Sequence, residues 1–330
     1  MDNINYWLSK IKKEFDIVYN QNRNKHEIIE ETLLLNSIER QEIIKEIGNS
    51  PYSLDKINTF LGSCKNKHRF MYKYVTIHVL CNKIGKRLHT QIINTLYRTN
   101  TILKIFLGNN MKKIVITLVP IDEPRKKPKG TDIVQPYHIN GGYTYIHDET
   151  IFIYRLEEWP KVALHELLHK IPMLQNTKWT PSILRKMYQT FKINMEGCPY
   201  QCSTNLEPTE SIIEAWAIFL HTAFMSFEKN RDFSRLLKDE IKWNNQQIQW
   251  ILQKQKTMED GKWKEDTHAF SYLILRGILL HNLNIFLGMT IPYNPNELYK
   301  LWEKEWTKMV KKTNNNKNEN SLRMSKYGDV

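Results

Sequence analysis

Apolar residues follow helical spacing over most of the first hundred residues. Within 5–19, Trp7, Ile11, Phe15 and Val18 fall on one helical face, and residues 50–64 repeat this kind of pattern. The sequence has no internal repeat here and offers no catalytic motif. It therefore predicts a helical domain over residues 1–105.

The pattern changes after residue 112 from helical spacing to short apolar runs. Residues 114–119 form a β-branched run that ends at Pro120, which is typical of a buried strand. Two aromatic and β-branched runs, 143–146 and 151–154, flank the turn sequence HDET. The sequence predicts a strand followed by a hairpin.

The next segment, KVALHELLHKI at 161–171, is apolar around most of a helical circumference and should be buried. Pro160 suits the first turn of this helix, where its missing N–H is not needed. Helical patterns then recur. We expect an α+β fold, mainly helical, in which a small sheet packs on this helix. The expected catalytic domain is 106–310, with the sheet and metal helix in 112–172 and a helical part in 180–310, and 311–330 is predicted to be a disordered basic tail.

Composition indicates a folded protein with a sizeable core. The chain has 330 residues, of which 41% are hydrophobic, and its formal net charge is +13. The basic residues are spread along the chain, with dense clusters only at 125–129 and from Lys308 onward, so charge alone is weak support for nucleic-acid contact. With no cationic leader and no long apolar run, we expect a soluble, intracellular protein without membrane contact.

The four cysteines are Cys64, Cys81, Cys198 and Cys202. Cys198 and Cys202 have a C-x-x-x-C spacing, but no second cysteine or histidine pair lies beside them in the sequence. Without a secretory signal, we expect free thiols in preference to disulfides or a zinc knuckle.

The helix at 161–171 contains the motif His165-Glu166-Leu167-Leu168-His169. Residues four apart lie on the same helical face, so both histidines can direct a ring nitrogen at one cation. Glu166, one position further round, can reach a water on that cation and act as a general base. In the alternative interpretation, both histidines donate to backbone carbonyls, but Glu166 would then be buried without a partner.

A strand, a hairpin and a buried helix with this motif resemble the catalytic core of the zincin metallopeptidases. The metzincin branch would need glycine and histidine where this chain has Pro172 and Gln175. The similarity is therefore to the gluzincin branch, in which a glutamate on a later helix supplies the third zinc ligand. Similar arrangements occur in uncharacterised proteins of large DNA viruses.

Two glutamates of the later helix are candidates for that third ligand. Glu214, in the sequence EAWAIF, resembles the gluzincin ligand, and the small Ala215 and Ala217 allow close approach of the two helices. Glu210 lies one turn earlier and is the alternative ligand, or a hydrogen-bond acceptor for a ligand histidine. The resemblance implies His165, His169 and Glu214 as the ligands of one Zn²⁺ per chain.

A polar stripe on a later apolar helix supplies further candidates. His268, Tyr272 and Arg276 follow one another at intervals of four residues. Tyr272 or His268 could donate a hydrogen bond to an oxyanion, and Arg276 could bind a substrate carboxylate. In the alternative interpretation these residues are structural, satisfying buried loops or pairing with Glu210.

We therefore expect a zinc metallopeptidase-like hydrolase in which Glu166 is the general base for attack of water on a peptide carbonyl. The expected partner is a peptide or protein substrate. Two alternatives have other functions: a basic nucleic-acid- or virion-associated binding protein on an inactive zincin scaffold, and a helical interaction protein with structural zinc.

Overall fold

The structure, a computed structural model, describes residues 2–23, 27–48, 54–130, 132–194, 206–311 and 321–329. It has an α+β fold in which helices outnumber strands. The strands are β1 Ile29–Leu34, β2 Asn66–Tyr72, β3 Val75–Leu80, β4 Ile114–Leu118, β5 Gly142–Thr144 and β6 Thr150–Ile153.

The helices of the first half are α1 Asn3–Arg23, α2 Ser37–Gly48, α3 Leu54–Ser63, α4 Lys86–Leu107, α5 Pro136–Ile139 and α6 Trp159–Leu168. Those of the second half are α7 Pro172–Gln175, α8 Pro181–Phe191, α9 Pro208–Lys229, α10 Phe233–Thr257, α11 Arg276–His281, α12 Leu283–Gly288 and α13 Pro295–Lys311. A 3-10 turn at Glu259–Gly261 and a π-helical turn at Ser271–Leu275 lie between α10 and α11.

The six strands form one mixed sheet in the order β1-β2-β3-β4-β6-β5. β3, β4 and β6 are parallel to one another, and β1, β2 and β5 join as antiparallel neighbours. The strand predicted at 114–119 and the hairpin predicted around HDET are confirmed as β4 and as the β5–β6 pair. The sheet is larger than the expected strand plus hairpin.

The additional strands lie in the part of the chain that was expected to be helical. β1, β2 and β3 all precede residue 105, and β3 is hydrogen-bonded directly to β4, so the sheet crosses the expected domain boundary. Apolar and polar residues alternate at the start of the β3 sequence VTIHVL, a pattern that is typical of a strand. β2 is harder to recognise, because its sequence NKHRFMY begins with four polar residues.

Both faces of the sheet carry buried side chains. Ile77, Ile116 and Ile153 belong to the main core, where α4 and α6 pack against the strands. Leu80 and Tyr154 belong to a second core cluster with residues of α2 and α3. α6 also packs against α9, so it is enclosed between the sheet and the helical half of the molecule.

Residues 321–329 do not form the disordered tail that was expected at the end of the chain. Leu322, Met324 and Ser325 are buried. The backbone of this segment donates hydrogen bonds to Glu158, directly before α6, and to Glu240 of α10. Because its order comes from hydrogen bonds to distant carboxylates, the segment has no periodic pattern that a sequence could reveal.

Two further expectations concern the membrane and the cysteines. Among the described residues, no helix is both long and apolar enough to span a membrane. Cys64 and Cys81 are free thiols, as expected. Cys198 and Cys202 lie outside the described residues.

Candidate metal centre

The helix α6 holds the two histidines in a fixed relation. All ten of its residues are buried, and Pro160 lies in its first turn as predicted. His169 follows the last helical residue but keeps helical backbone angles, φ −61° and ψ −21°, so it stays on the same face as His165. The chain then turns into α7 at Pro172.

Three potential ligand atoms converge at this face of α6. The Nε2 atoms of His165 and His169 are 3.1 Å apart. Oε2 of Glu210 lies 3.2 Å from Nε2 of His165 and 3.4 Å from Nε2 of His169. These atoms form a nearly equilateral triangle with one nitrogen or oxygen lone pair at each corner.

The dimensions of this triangle fit a single divalent cation. Ligand atoms at about 2.0–2.1 Å from a tetrahedral zinc are separated from one another by roughly 3.3 Å. Oε2 of Glu210 is also buried and makes no hydrogen bond with acceptable geometry among the described residues. Among the residues that the structure describes, His165, His169 and Glu210 form a group of side chains that could hold a metal ion.

Glu214, the glutamate expected as third ligand, lies on the opposite side of the His165 ring. Its Oε2 is 2.7 Å from Nδ1 of His165, and its Oε1 accepts hydrogen bonds from Lys161 and from Nη1 of Arg276 at 2.9 Å. One turn further along α9 than Glu210, it therefore meets the nitrogen that faces away from the triangle. In this geometry Glu210 lies at the triangle and Glu214 contacts the outer nitrogen of His165, an arrangement that differs from the roles predicted for the two residues.

The second histidine also has an outer partner. Nδ1 of His169 lies 2.9 Å from Nε2 of Gln175, at the end of α7. When Nε2 binds a metal, Nδ1 carries the ring proton, and the Gln175 amide would present its oxygen to it. Sequence reasoning missed Gln175 and Lys161. A signal existed only for Lys161, a lysine four residues before His165 in a helix that was predicted to be buried.

The charges around the triangle shift the pKa values of its groups strongly. Burial alone would lower the pKa of His165, but the close contacts and negative charges of Glu210 and Glu214 raise it to about 10. Burial would raise the pKa of Glu210, yet His169 and His165 hold it well below its ordinary value. Without metal, the two carboxylates therefore favour the protonated form of His165.

Glu166 has the properties of a general base. Burial raises its pKa, against the charges of His165 and His169, and its carboxylate makes no hydrogen bond to the described residues. It lines the same cleft as the two histidines. A carboxylate that is beside the triangle and has no fixed partner can accept a proton from a bound molecule.

Tyr272 and His268 line the cleft together with the two histidines of α6. The Tyr272 ring is 5.8 Å from the His165 ring, centroid to centroid, and the π-helical turn Ser271–Leu275 carries it. Burial, followed by the charges of Glu210 and Glu166, raises the pKa of Tyr272 and keeps its hydroxyl protonated. Nδ1 of His268 is buried without a hydrogen-bond partner among the described residues.

Arg276 is not available to a substrate. Its side chain is 1% exposed, and its three nitrogens are occupied by Glu214, Asn244 and the carbonyl of Met324. These contacts agree with the structural interpretation of Arg276 and give no support to the predicted binding of a substrate carboxylate.

The cleft that contains the triangle has a volume of about 500 Å³. Its floor is α6 with His165, Glu166 and His169, and one wall is the strand β5. This cleft can admit an extended small molecule or a few residues of a peptide.

Comparisons with protein-family models, with curated proteins and with solved structures find no match for this chain.

Proposed function

We propose that the protein is a zinc-dependent hydrolase of the metallopeptidase type, with His165, His169 and Glu210 as the metal ligands. The observation that carries the proposal is the triangle of Nε2, Nε2 and Oε2 with sides of 3.1, 3.2 and 3.4 Å. Two imidazoles and a carboxylate are typical of catalytic zinc sites, which keep a fourth position open.

When bound, zinc would polarise a substrate carbonyl and lower the pKa of water. Glu166 is next to the ligands and has a raised pKa, so it accepts the proton of the attacking water and returns it to the leaving group. The tetrahedral oxyanion needs a donor on the opposite side. Tyr272, which is protonated and lines the cleft, supplies that hydrogen bond, and His268 is a second donor.

Glu214 positions the first ligand. Its short contact with Nδ1 of His165 fixes the ring orientation and leaves Nε2 for the metal. Lys161 and Arg276 hold this carboxylate from the other side, so it remains ionised.

The cleft favours an extended peptide as substrate. β5 is hydrogen-bonded to β6 on one side only within the described residues, and Gly142, Tyr143 and Thr144 line the cleft. An unpaired strand edge can bind an extended chain through its main-chain groups. A strand edge above a metal helix also agrees with the zincin resemblance of the sequence.

An open cleft supports hydrolysis over a purely structural metal site. Structural zinc sites are closed by four protein ligands, whereas here three converge and Glu166 remains without a hydrogen-bond partner. Incubation of the zinc-loaded protein with a mixture of unstructured peptides, followed by mass spectrometry, tests the proposal. Peptide products from the wild type and none from Glu166→Gln are expected; intact peptides with a fully zinc-loaded wild type would contradict hydrolysis.

A further inference from the structure

The C-terminal segment, residues 321–329, lies against the candidate metal centre. Met324 lines the cleft together with His165 and Glu214, and both Met324 and Ser325 are buried. The segment lies beside Glu158, which directly precedes α6, and beside Glu240 of α10.

Two fully buried carboxylates receive the backbone of this segment. Glu158, 0% exposed, accepts the N–H groups of Met324 at 2.9 Å and Ser325 at 2.6 Å. Glu240, 2% exposed, accepts the N–H groups of Lys326 and Tyr327, each at 2.9 Å. Buried carboxylates need such donors, so these residues form a built receptor for a chain segment.

A chain of hydrogen bonds connects the segment to the metal ligand His165. The carbonyl of Met324 accepts a hydrogen bond from Nη1 of Arg276 at 2.8 Å. The same Nη1 donates to Glu214 at 2.9 Å, and Glu214 is 2.7 Å from Nδ1 of His165. Three hydrogen bonds therefore separate the segment from the ligand ring.

Asn244 binds two nitrogens of the Arg276 guanidinium but not Nη1, the nitrogen that contacts both Glu214 and Met324. Its Oδ1 accepts from Nε of Arg276 at 2.7 Å and also from Nη2. Nη1, which holds Glu214, finds its second acceptor only in the carbonyl of Met324 among the described residues. Without that carbonyl, Nη1 would be drawn fully toward Glu214 or would lose its fixed position.

We propose that the C-terminal segment is a positioning element of the metal centre, acting on His165 through Arg276 and Glu214. The proposal rests on the proposed metal site. Outer partners of a ligand histidine typically change metal affinity by about 10–100-fold when they are lost. The segment should therefore set how tightly the metal is held, although it contributes no ligand.

A truncation with peptide complementation tests this role. The chain ending at residue 320 is titrated with Co²⁺, alone and with a synthetic peptide of residues 321–330, while circular dichroism monitors folding. We expect about 10–100-fold weaker Co²⁺ binding in the truncated chain, an altered visible Co²⁺ spectrum, and recovery of both with the peptide. A folded truncated chain that binds Co²⁺ like the wild type would overturn the proposal.

A point variant in the full-length chain tests the same role if the truncated chain does not fold. A Cβ atom at Gly328 would lie 2.8 Å from Oε1 of Glu158, so Gly328→Ala should push the segment away from this carboxylate. Lys326→Ala is the control, because the Lys326 side chain is exposed and its backbone N–H is retained. We expect weaker Co²⁺ binding in Gly328→Ala than in Lys326→Ala, and equal binding would contradict the role. If the wild type itself binds no Co²⁺, the metal site fails and not this coupling alone.

Discussion

Glu214 meets His165 at Nδ1, with Oε2 of the carboxylate 2.7 Å from that nitrogen. The opposite nitrogen, Nε2, is thereby directed at His169 and Glu210. A carboxylate on Nδ1 fixes the tautomer that a metal ligand needs and increases the basicity of the ring. This one contact assigns different tasks to two glutamates of the same helix.

Glu210→Gln and Glu214→Gln should separate those tasks. We expect Glu210→Gln to lose far more zinc affinity, because it removes a ligand, whereas Glu214→Gln should weaken zinc by roughly 10–100-fold. Parallel zinc titrations measure the order, and stronger loss in Glu214→Gln would return the ligand role to that residue.

The same pair should differ in stability without metal. Glu214 neutralises Lys161 and Arg276, both buried, and loss of one partner of a buried ion pair costs about 3–5 kcal/mol. Glu210→Gln leaves no buried lysine or arginine without its carboxylate, and His165 keeps its contact with Glu214. In urea unfolding of the metal-free variants, we expect the free energy of unfolding of Glu214→Gln to be well below that of Glu210→Gln.

Glu166→Gln should keep zinc and stability but abolish hydrolysis. The amide has nearly the same shape, yet it cannot accept the proton of the attacking water. Glu149→Gln is a matched control, since Glu149 is exposed and does not line the cleft. Turnover and zinc content are measured together, and unchanged turnover in Glu166→Gln would remove its role as base.

Tyr272→Phe should lower kcat by about 10²–10³ with zinc content unchanged, as expected for loss of one oxyanion donor. Tyr137→Phe serves as the control, because Tyr137 is exposed and does not line the cleft. A wild-type kcat in Tyr272→Phe would make the residue structural.

Zinc binding at neutral pH should release a proton. In the metal-free protein the pKa of His165 is raised from 6.5 to about 10, so its contribution to stability is complete below about pH 6.5 and is lost as pH rises through 10. A metal ligand must be deprotonated, so zinc displaces this proton at pH 7. Calorimetry in buffers with different ionisation enthalpies counts the protons, and a count of zero would contradict the assignment.

The apparent zinc affinity should accordingly rise from pH 7 toward pH 9, while the metal-free protein becomes less stable over the same interval. Thermal unfolding with and without zinc at both pH values measures this divergence. Parallel changes in the two forms would show that His165 carries no such proton.

The parts of the fold that the sequence predicts are those with local signals. β4, the β5–β6 hairpin and α6 were readable, because β-branched runs, a turn and an apolar helix each lie within a short segment. β2 was not, because four polar residues open it and its place in the sheet depends on distant partners. The segment 321–329 was missed for the same reason, since Glu158 and Glu240 order it from afar.

In the candidate site, too, the residues that the sequence predicts are those with local signals. His165, Glu166 and His169 follow from spacing on one helix, and Tyr272 from its place on a polar stripe. The choice between Glu210 and Glu214 depends on how α9 is rotated against α6, which helical spacing leaves open because residues four apart share a face. The burial of Arg276 likewise depends on Glu214, Asn244 and Met324, which come together only in the folded chain.

The central claim is that His165, His169 and Glu210 hold one zinc ion. Metal analysis of the purified protein, after removal of loosely bound ions and reconstitution with zinc, tests it most directly. We predict about one zinc per wild-type chain and a large loss in a folded His169→Ala variant, whose thermal unfolding temperature no longer responds to zinc. A folded wild-type chain without stoichiometric zinc, or a His169→Ala variant with full zinc content, would contradict the claim.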